Sequence, residues 1–71
     1  MFYAFSLELR YPIFVAESRD FEPVRRAAED FRDARRERER KVTVPVVAIF
    51  QGSTLDDASN ECINQHYPKL V

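Results

Sequence analysis

Cys62 and His66 are the two residues of this sequence whose types and spacing come closest to a reactive pair. They are four positions apart in a segment with helical periodicity, so their side chains can meet on one face of a helix. A thiolate beside an imidazole forms a cysteine nucleophile with its base, or half of a metal site. The chain has one Cys and one His, and no third group is evident that could orient the pair. We therefore expect both residues to pack in the core, and a minimal thiol enzyme is an alternative.

The charged run at residues 32–41 is the second candidate for chemistry. Arg32, Arg36 and Arg40 recur at helical spacing, and such a basic ridge could follow the phosphates of a nucleic acid. Acidic residues are interleaved with the arginines, and the net charge of the chain is −1. Because oppositely charged residues three and four apart stabilise a solvated helix, we expect a solvent-exposed helix surface here. Nucleic-acid binding through the ridge is the alternative function.

The remaining acidic residues do not predict an active site. Asp56 and Asp57 follow Thr54 at the start of a predicted helix, where carboxylates stabilise the positive end of the helix dipole. The sequence contains no phosphate-binding loop, dinucleotide fingerprint or serine nucleophile motif. We therefore predict a protein that is not an enzyme and that uses no metal and no small-molecule cofactor.

Length and composition limit the class of protein. The chain has 71 residues and a mass of 8.4 kDa, which is near the lower limit for one stable core. A single Cys cannot form an internal disulfide, and the longest apolar run, residues 44–50, is too short for a membrane span. We therefore expect a single cytoplasmic domain over residues 1–71 that gains stability from a partner subunit.

The first part of the chain has the alternation of β-strands. In residues 2–9 the apolar side chains of Tyr3, Phe5, Leu7 and Leu9 fall on one face. Residues 13–16 predict a shorter second strand. The two form a hairpin, or one long strand with a kink at Pro12, and the sequence leaves both possibilities open.

The rest of the chain alternates helix, strand and helix. Residues 20–41 are rich in charge and contain no Gly, and they predict a long helix with a narrow apolar stripe. That stripe consists of Phe21, Val24, Ala28, Phe31 and Ala34. Residues 42–51 are apolar on both faces and predict a buried strand, with Pro45 near its start. A second helix begins after Thr54 and ends before Pro68, with Leu55, Ala58, Cys62 and His66 on one face.

This order predicts a small α/β (α+β) domain with the sequence ββαβα. We expect a three-stranded mixed sheet, a long charged helix and a shorter C-terminal helix. The long helix should form a right-handed crossover that makes the second and third strands parallel. The first strand, placed between them, would then have a reason to be apolar on both faces.

Aromatic residues make up 13% of the chain and provide the best indication of an interface. If both helices cover one face of the sheet, the other face exposes a contiguous apolar patch of the kind found at interfaces. The predicted interface residues are Phe2, Ala4, Phe14, Val46, Ala48 and Phe50. If the second helix covers the other face, the same residues form a second core layer, and the sequence does not decide between the two arrangements.

These features together predict a non-enzymatic protein–protein interaction module that is a homodimer. We expect it to act as a regulator, an inhibitor or an accessory factor, of a phage or another mobile element, by binding a surface of another protein. The expected partners are a protein, a second copy of the chain or both, and no membrane.

Overall fold

A computed structural model of the protein describes residues 1–39 and 46–67, without the side chains of Arg36, Arg38 and Glu39. The elements are β1 (Phe2–Ser6), β2 (Ile13–Ser18), α1 (Phe21–Glu39), β3 (Val47–Gln51) and α2 (Leu55–His66). This order confirms the predicted ββαβα arrangement and the α+β class. Of the strand predicted over residues 42–51, the structure describes β3, which begins at Val47. Residues 42–45 lie outside the described part of the chain, as do Arg40 and Pro68.

The three strands form one sheet in the order β2-β1-β3. β1 is antiparallel to both neighbours, so β2 and β3 point in the same direction without being paired to each other. β1 lies between them, which is the arrangement that explains an apolar strand with two buried faces. The prediction of a mixed sheet is wrong, because both hydrogen-bonded ladders are antiparallel.

β1 and β2 form a hairpin that contains a β-bulge. Ala4 pairs with Ala16 and Phe5 pairs with Phe14, so Val15 is an additional residue on β2. A bulge increases the local twist and bends the strand that carries it. β2 is therefore an irregular edge, whereas β3 pairs with β1 in an uninterrupted register.

The two helices cover opposite faces of the sheet and, within the described residues, do not touch each other. Under α2, the buried residues are Tyr3, Phe5, Ala58 and Cys62. Under α1, the buried residues are Ala4, Val24 and Ala28. β1 therefore contributes side chains to two separate core layers, which explains why it is apolar on both faces.

The apolar stripe of α1 is buried only where the helix crosses the sheet. Val24 and Ala28 are buried, whereas Phe21 is 44% exposed and Ala34 lies on the surface. Phe21 still contacts the sheet, because its ring meets that of Phe2 edge-on at 5.6 Å. The C-terminal half of α1 is also connected to the loop after β1, where Arg35 Nε is 3.4 Å from Glu8 Oε1.

α2 begins with the predicted cap and lies close to the sheet. The Thr54 hydroxyl accepts a hydrogen bond from the Asp57 N–H at 3.2 Å, which satisfies a free donor of the first turn. A Cβ added to Gly52 would be 3.2 Å from the Ala58 nitrogen, which is a tight contact, so the turn after β3 favours a residue without a side chain. The small size of Gly52 and Ala58 allows α2 to bury Cys62 against β1.

Within the described residues, no helix has the length and apolar content needed to cross a membrane.

Candidate interaction surface

The six predicted interface residues do not share one face of the sheet. Tyr3 pairs with Phe50 and Ala4 pairs with Ile49, so the even-numbered residues of β1 and those of β3 point to opposite sides. Paired residues of neighbouring strands point to the same side, and a shift of one residue moves a whole strand to the other face. The prediction of a single patch is wrong because it assumed the alternative register.

The structure places Phe2 and Ala4 in the core under α1. Ala4 is fully buried, and Phe2 packs against the same cluster, so neither is on an open face of the sheet. Phe50 packs against the core under α2, and its ring lies 6.3 Å from that of Phe5. α2 therefore covers the face of the sheet that would be open if both helices packed on the same side.

Phe14 and Val46 are the two predicted interface residues that are strongly exposed. Phe14 is 46% exposed, because α2 packs on β1 and β3 and, among the described residues, does not reach β2. Val46 is 62% exposed immediately before β3. Ala48 is half-buried within β3, next to the free edge of that strand.

The outer edge of β3 presents unpaired backbone groups. The Leu7 N–H donates to the Val46 carbonyl at 2.8 Å, and the Gly52 N–H donates to the Met1 carbonyl at 3.0 Å. Because the direction of backbone groups alternates along an antiparallel strand, the even-numbered residues of β3 face β1. The N–H and C=O groups of Val47, Ile49 and Gln51 therefore point away from the sheet, and the strand order gives β3 no neighbour on that side among the described residues.

Among the described residues, β3 has no charge, no proline and no bulge that would discourage pairing at its edge. Its sequence, VAIFQ, contains no charged residue and no proline, and its ladder with β1 is regular. The β2 edge has both a bulge and the charged residue Glu17. Since charges and bulges discourage edge-to-edge association, β3 is the edge that is available for a further strand. The sequence contained this signal in its uncharged third strand, which the interface prediction did not use.

A groove of about 420 Å³ runs between α1 and β3, beside that edge. It exists because α1 lies mainly over β2 and β1 and leaves part of β3 uncovered. Its apolar floor is formed by Val47 and Ile49, and its charged rim by Arg25, Glu29 and Arg32. We call the exposed edge of Val47–Gln51 and this groove together the β3 surface.

The charged rim of the groove is partly fixed by ion pairs along α1. The Arg25 guanidinium contacts Glu22 at 2.8 Å and Glu29 at 2.6 Å, and both partners lie at spacings that favour ion pairs along a helix. Hydrogen bonding to Arg25 lowers the pKa of the exposed Glu22 carboxyl. The rim therefore carries both signs of charge and does not form a uniform basic surface.

The predicted basic ridge is described only in part. The Arg32 side chain is on the rim, and its Nε is 3.8 Å from Asp33 Oδ1. The side chain of Arg36 and all of Arg40 lie outside the described part of the chain. Nucleic-acid binding through this ridge stays a prediction.

Cys62 and His66 have different environments on α2. Cys62 is fully buried, and burial raises the pKa of its thiol, so the reactive thiolate form is disfavoured. His66 is exposed, and its ring meets that of Phe50 edge-on at 5.8 Å. The prediction of a core thiol is confirmed, whereas the histidine lies at the edge of that core. The described residues contain no group of three or more potential metal ligands.

We expect the Cys62 thiol to be unreactive in the folded protein. Alkylation by iodoacetamide at pH 8 should be at least about a hundredfold slower than in denaturant, because the thiol must first be exposed by unfolding or local opening. The rate is measured by mass spectrometry over time, with the denatured protein as the control. A native rate equal to the denatured rate would show that the thiol is accessible and would restore the thiol-enzyme alternative.

Comparisons of the chain with protein-family profiles, with curated proteins and with solved structures gave no match.

Proposed function

We propose that this protein is a non-enzymatic protein–protein interaction module that forms a homodimer in the cytoplasm and acts by binding another protein. The observation that supports the proposal best is the β3 surface, where an uncharged edge strand and an apolar groove lie side by side. Strand pairing at a free edge is a common mode of protein association, with backbone hydrogen bonds providing affinity and neighbouring pockets providing specificity.

The size of the domain favours association as well. Only seven hydrophobic residues of the described chain are buried, and they are divided between two layers. A small chain with limited burial and no disulfide gains stability when a partner covers more of its apolar surface. A regulator, an inhibitor or an accessory factor, including one encoded by a phage, fits a module with these properties.

We expect the purified protein to sediment as a dimer at concentrations of tens of micromolar. The measurement is sedimentation equilibrium over a range of loading concentrations, at both low and moderate salt. Because the strand edge and the floor of the groove are uncharged, moderate salt should leave the dimer intact. A monomer at every concentration would contradict the dimeric half of the proposal.

The partner-binding half is tested separately with the full chain as bait in its native host. A captured protein counts only if a purified copy binds the module saturably and free module competes for the same site. Failure of every captured protein in that assay would contradict this half of the proposal.

A further inference from the structure

We propose that two copies of this chain join through their β3 strands, antiparallel about a two-fold axis at Ile49, to form one continuous six-stranded sheet. This inference rests on the proposed function and names the surface and the register by which the dimer forms. It follows from the direction of the backbone groups and from the sizes of the side chains along β3.

The backbone of β3 fits a second copy in this register. The outward N–H and C=O groups belong to the odd-numbered residues, which are Val47, Ile49 and Gln51. With the axis at Ile49, that residue pairs with its own copy, and Val47 pairs with Gln51 of the other copy. Residues that exchange both backbone hydrogen bonds then lie opposite each other, so every outward group of one strand meets a complementary group. Moving the axis to Val47 or to Gln51 would leave outward groups of β3 without partners.

The side chains on the α2 face also complement each other in this register. Ala48 of one copy lies opposite Phe50 of the other, on the side of the sheet that α2 covers. The small side chain of Ala48 leaves room for the ring of Phe50 from the other copy to lie over the neighbouring strand. Phe50 of each copy would extend the core under α2 across the dimer boundary.

On the α1 face, the dimer would close the apolar floor of the groove. A two-fold axis perpendicular to the sheet keeps both copies of α1 on the same side. Ile49 of one copy then lies beside Ile49 of the other. Val47 lies opposite Gln51 of the other copy and diagonal to its Ile49, so the apolar floor extends from one helix toward the other. Apolar surface that the single chain leaves at its edge is thereby removed from water. The mixed charges of Arg25, Glu29 and Arg32 on each rim avoid bringing together two surfaces of one sign.

The β2 edge of the sheet is less suited to dimer formation than the β3 edge. β2 contains the bulge at Val15, which interrupts a regular ladder, and the charged residue Glu17. Bulges and charges on an edge strand both discourage pairing with a further strand. The asymmetry between the edges limits assembly to a closed dimer and prevents growth of the sheet at its outer ends.

The first test compares Gln51→Pro with Gln51→Ala. Both variants remove the exposed Gln51 side chain, but only proline removes the outward N–H, which the fold of the single chain does not use. We expect Gln51→Pro to raise the dimer dissociation constant by about tenfold or more, because the symmetric dimer loses this hydrogen bond twice. Gln51→Ala should stay within about threefold of the wild type. Equal dissociation constants for the two variants would overturn the proposal.

The second test uses charges at the axis. Ile49→Lys and Ile49→Glu should each be monomeric, because each places two like charges opposite each other, and an equimolar mixture should recover a heterodimer. Recovery is expected only if residue 49 pairs with itself, so a mixture that stays monomeric while each variant is folded would overturn the register. Circular dichroism checks folding, and if either Ile49 variant is unfolded, the Gln51 comparison alone decides.

Failure of this inference can be distinguished from failure of the proposed function. A wild-type chain that is monomeric at all concentrations removes both the dimer and its register. A wild-type dimer whose dissociation constant is unaffected by Gln51→Pro leaves the interaction module in place and shows that the chain associates through another surface.

Discussion

Phe5→Ala is expected to destabilise the protein by about 3–5 kcal/mol, which is the usual cost of truncating a buried phenylalanine. Phe5 is 2% exposed and lies under α2 with Tyr3, Ala58 and Cys62. Removing its ring opens a cavity that the remaining side chains cannot fill. For a 71-residue protein, the total free energy of unfolding is roughly 4–10 kcal/mol, so this single change removes much of it.

Phe14→Ala is the matched control, because Phe14 pairs with Phe5 across the β1–β2 ladder and loses the same atoms. Phe14 is 46% exposed, and we expect its truncation to cost only about 1 kcal/mol. Urea denaturation followed by circular dichroism at one protein concentration measures both changes. Equal destabilisation by the two variants would contradict the placement of Phe5 in the core under α2.

Val24→Asp is expected to unfold the protein at neutral pH. Val24 is 1% exposed between α1 and the sheet, where it packs with Ala4 and Ala28. An ionised carboxylate at this position would be separated from water without a cationic partner, which costs about 4 kcal/mol or more. The measurement is the far-ultraviolet circular dichroism spectrum and the thermal transition at pH 7.

Ala34→Asp provides the control for that variant. Ala34 belongs to the same helix and the same apolar stripe in the sequence, but the structure places it on the surface. A charge there remains solvated, so we expect a loss of no more than about 1 kcal/mol, most of it from the lower helix propensity of Asp. A folded Val24→Asp variant with an unchanged melting temperature would contradict the burial of the α1 stripe at Val24.

Local patterns were enough to predict the elements of this fold. Alternation in β1 and helical spacing in α1 placed Phe5, Val24 and Ala28 in the core correctly, and Thr54 marked the start of α2. These features depend on residues close together in the sequence. The extent of burial along α1 was not predictable in the same way, because it depends on where the helix leaves the sheet, which exposes Ala34.

The predicted interface failed where it required knowledge of register. β3 is apolar on both faces, so its sequence does not show whether Tyr3 or Ala4 pairs with Phe50. The difference of one residue decides which side chains share a face. The bulge at Val15 is also a property of strand pairing and has no clear mark in the sequence. By contrast, the sequence shows that the third strand carries no charge. Only the structure shows that this strand lies at the edge of the sheet.

The central position of β1 has a consequence for the order of events as the chain is made. β1 can pair with β2 as soon as the first hairpin leaves the ribosome, but its other side stays without a partner until β3 has been synthesised. That second pairing joins residues about 40 to 50 positions apart in the sequence, and such long-range contacts are slow to form. Until β3 pairs, the hairpin therefore exposes the Tyr3 and Phe5 side chains and a free strand edge. The interval before β1 gains its second neighbour is thus the stage of folding at which this chain is most exposed to aggregation.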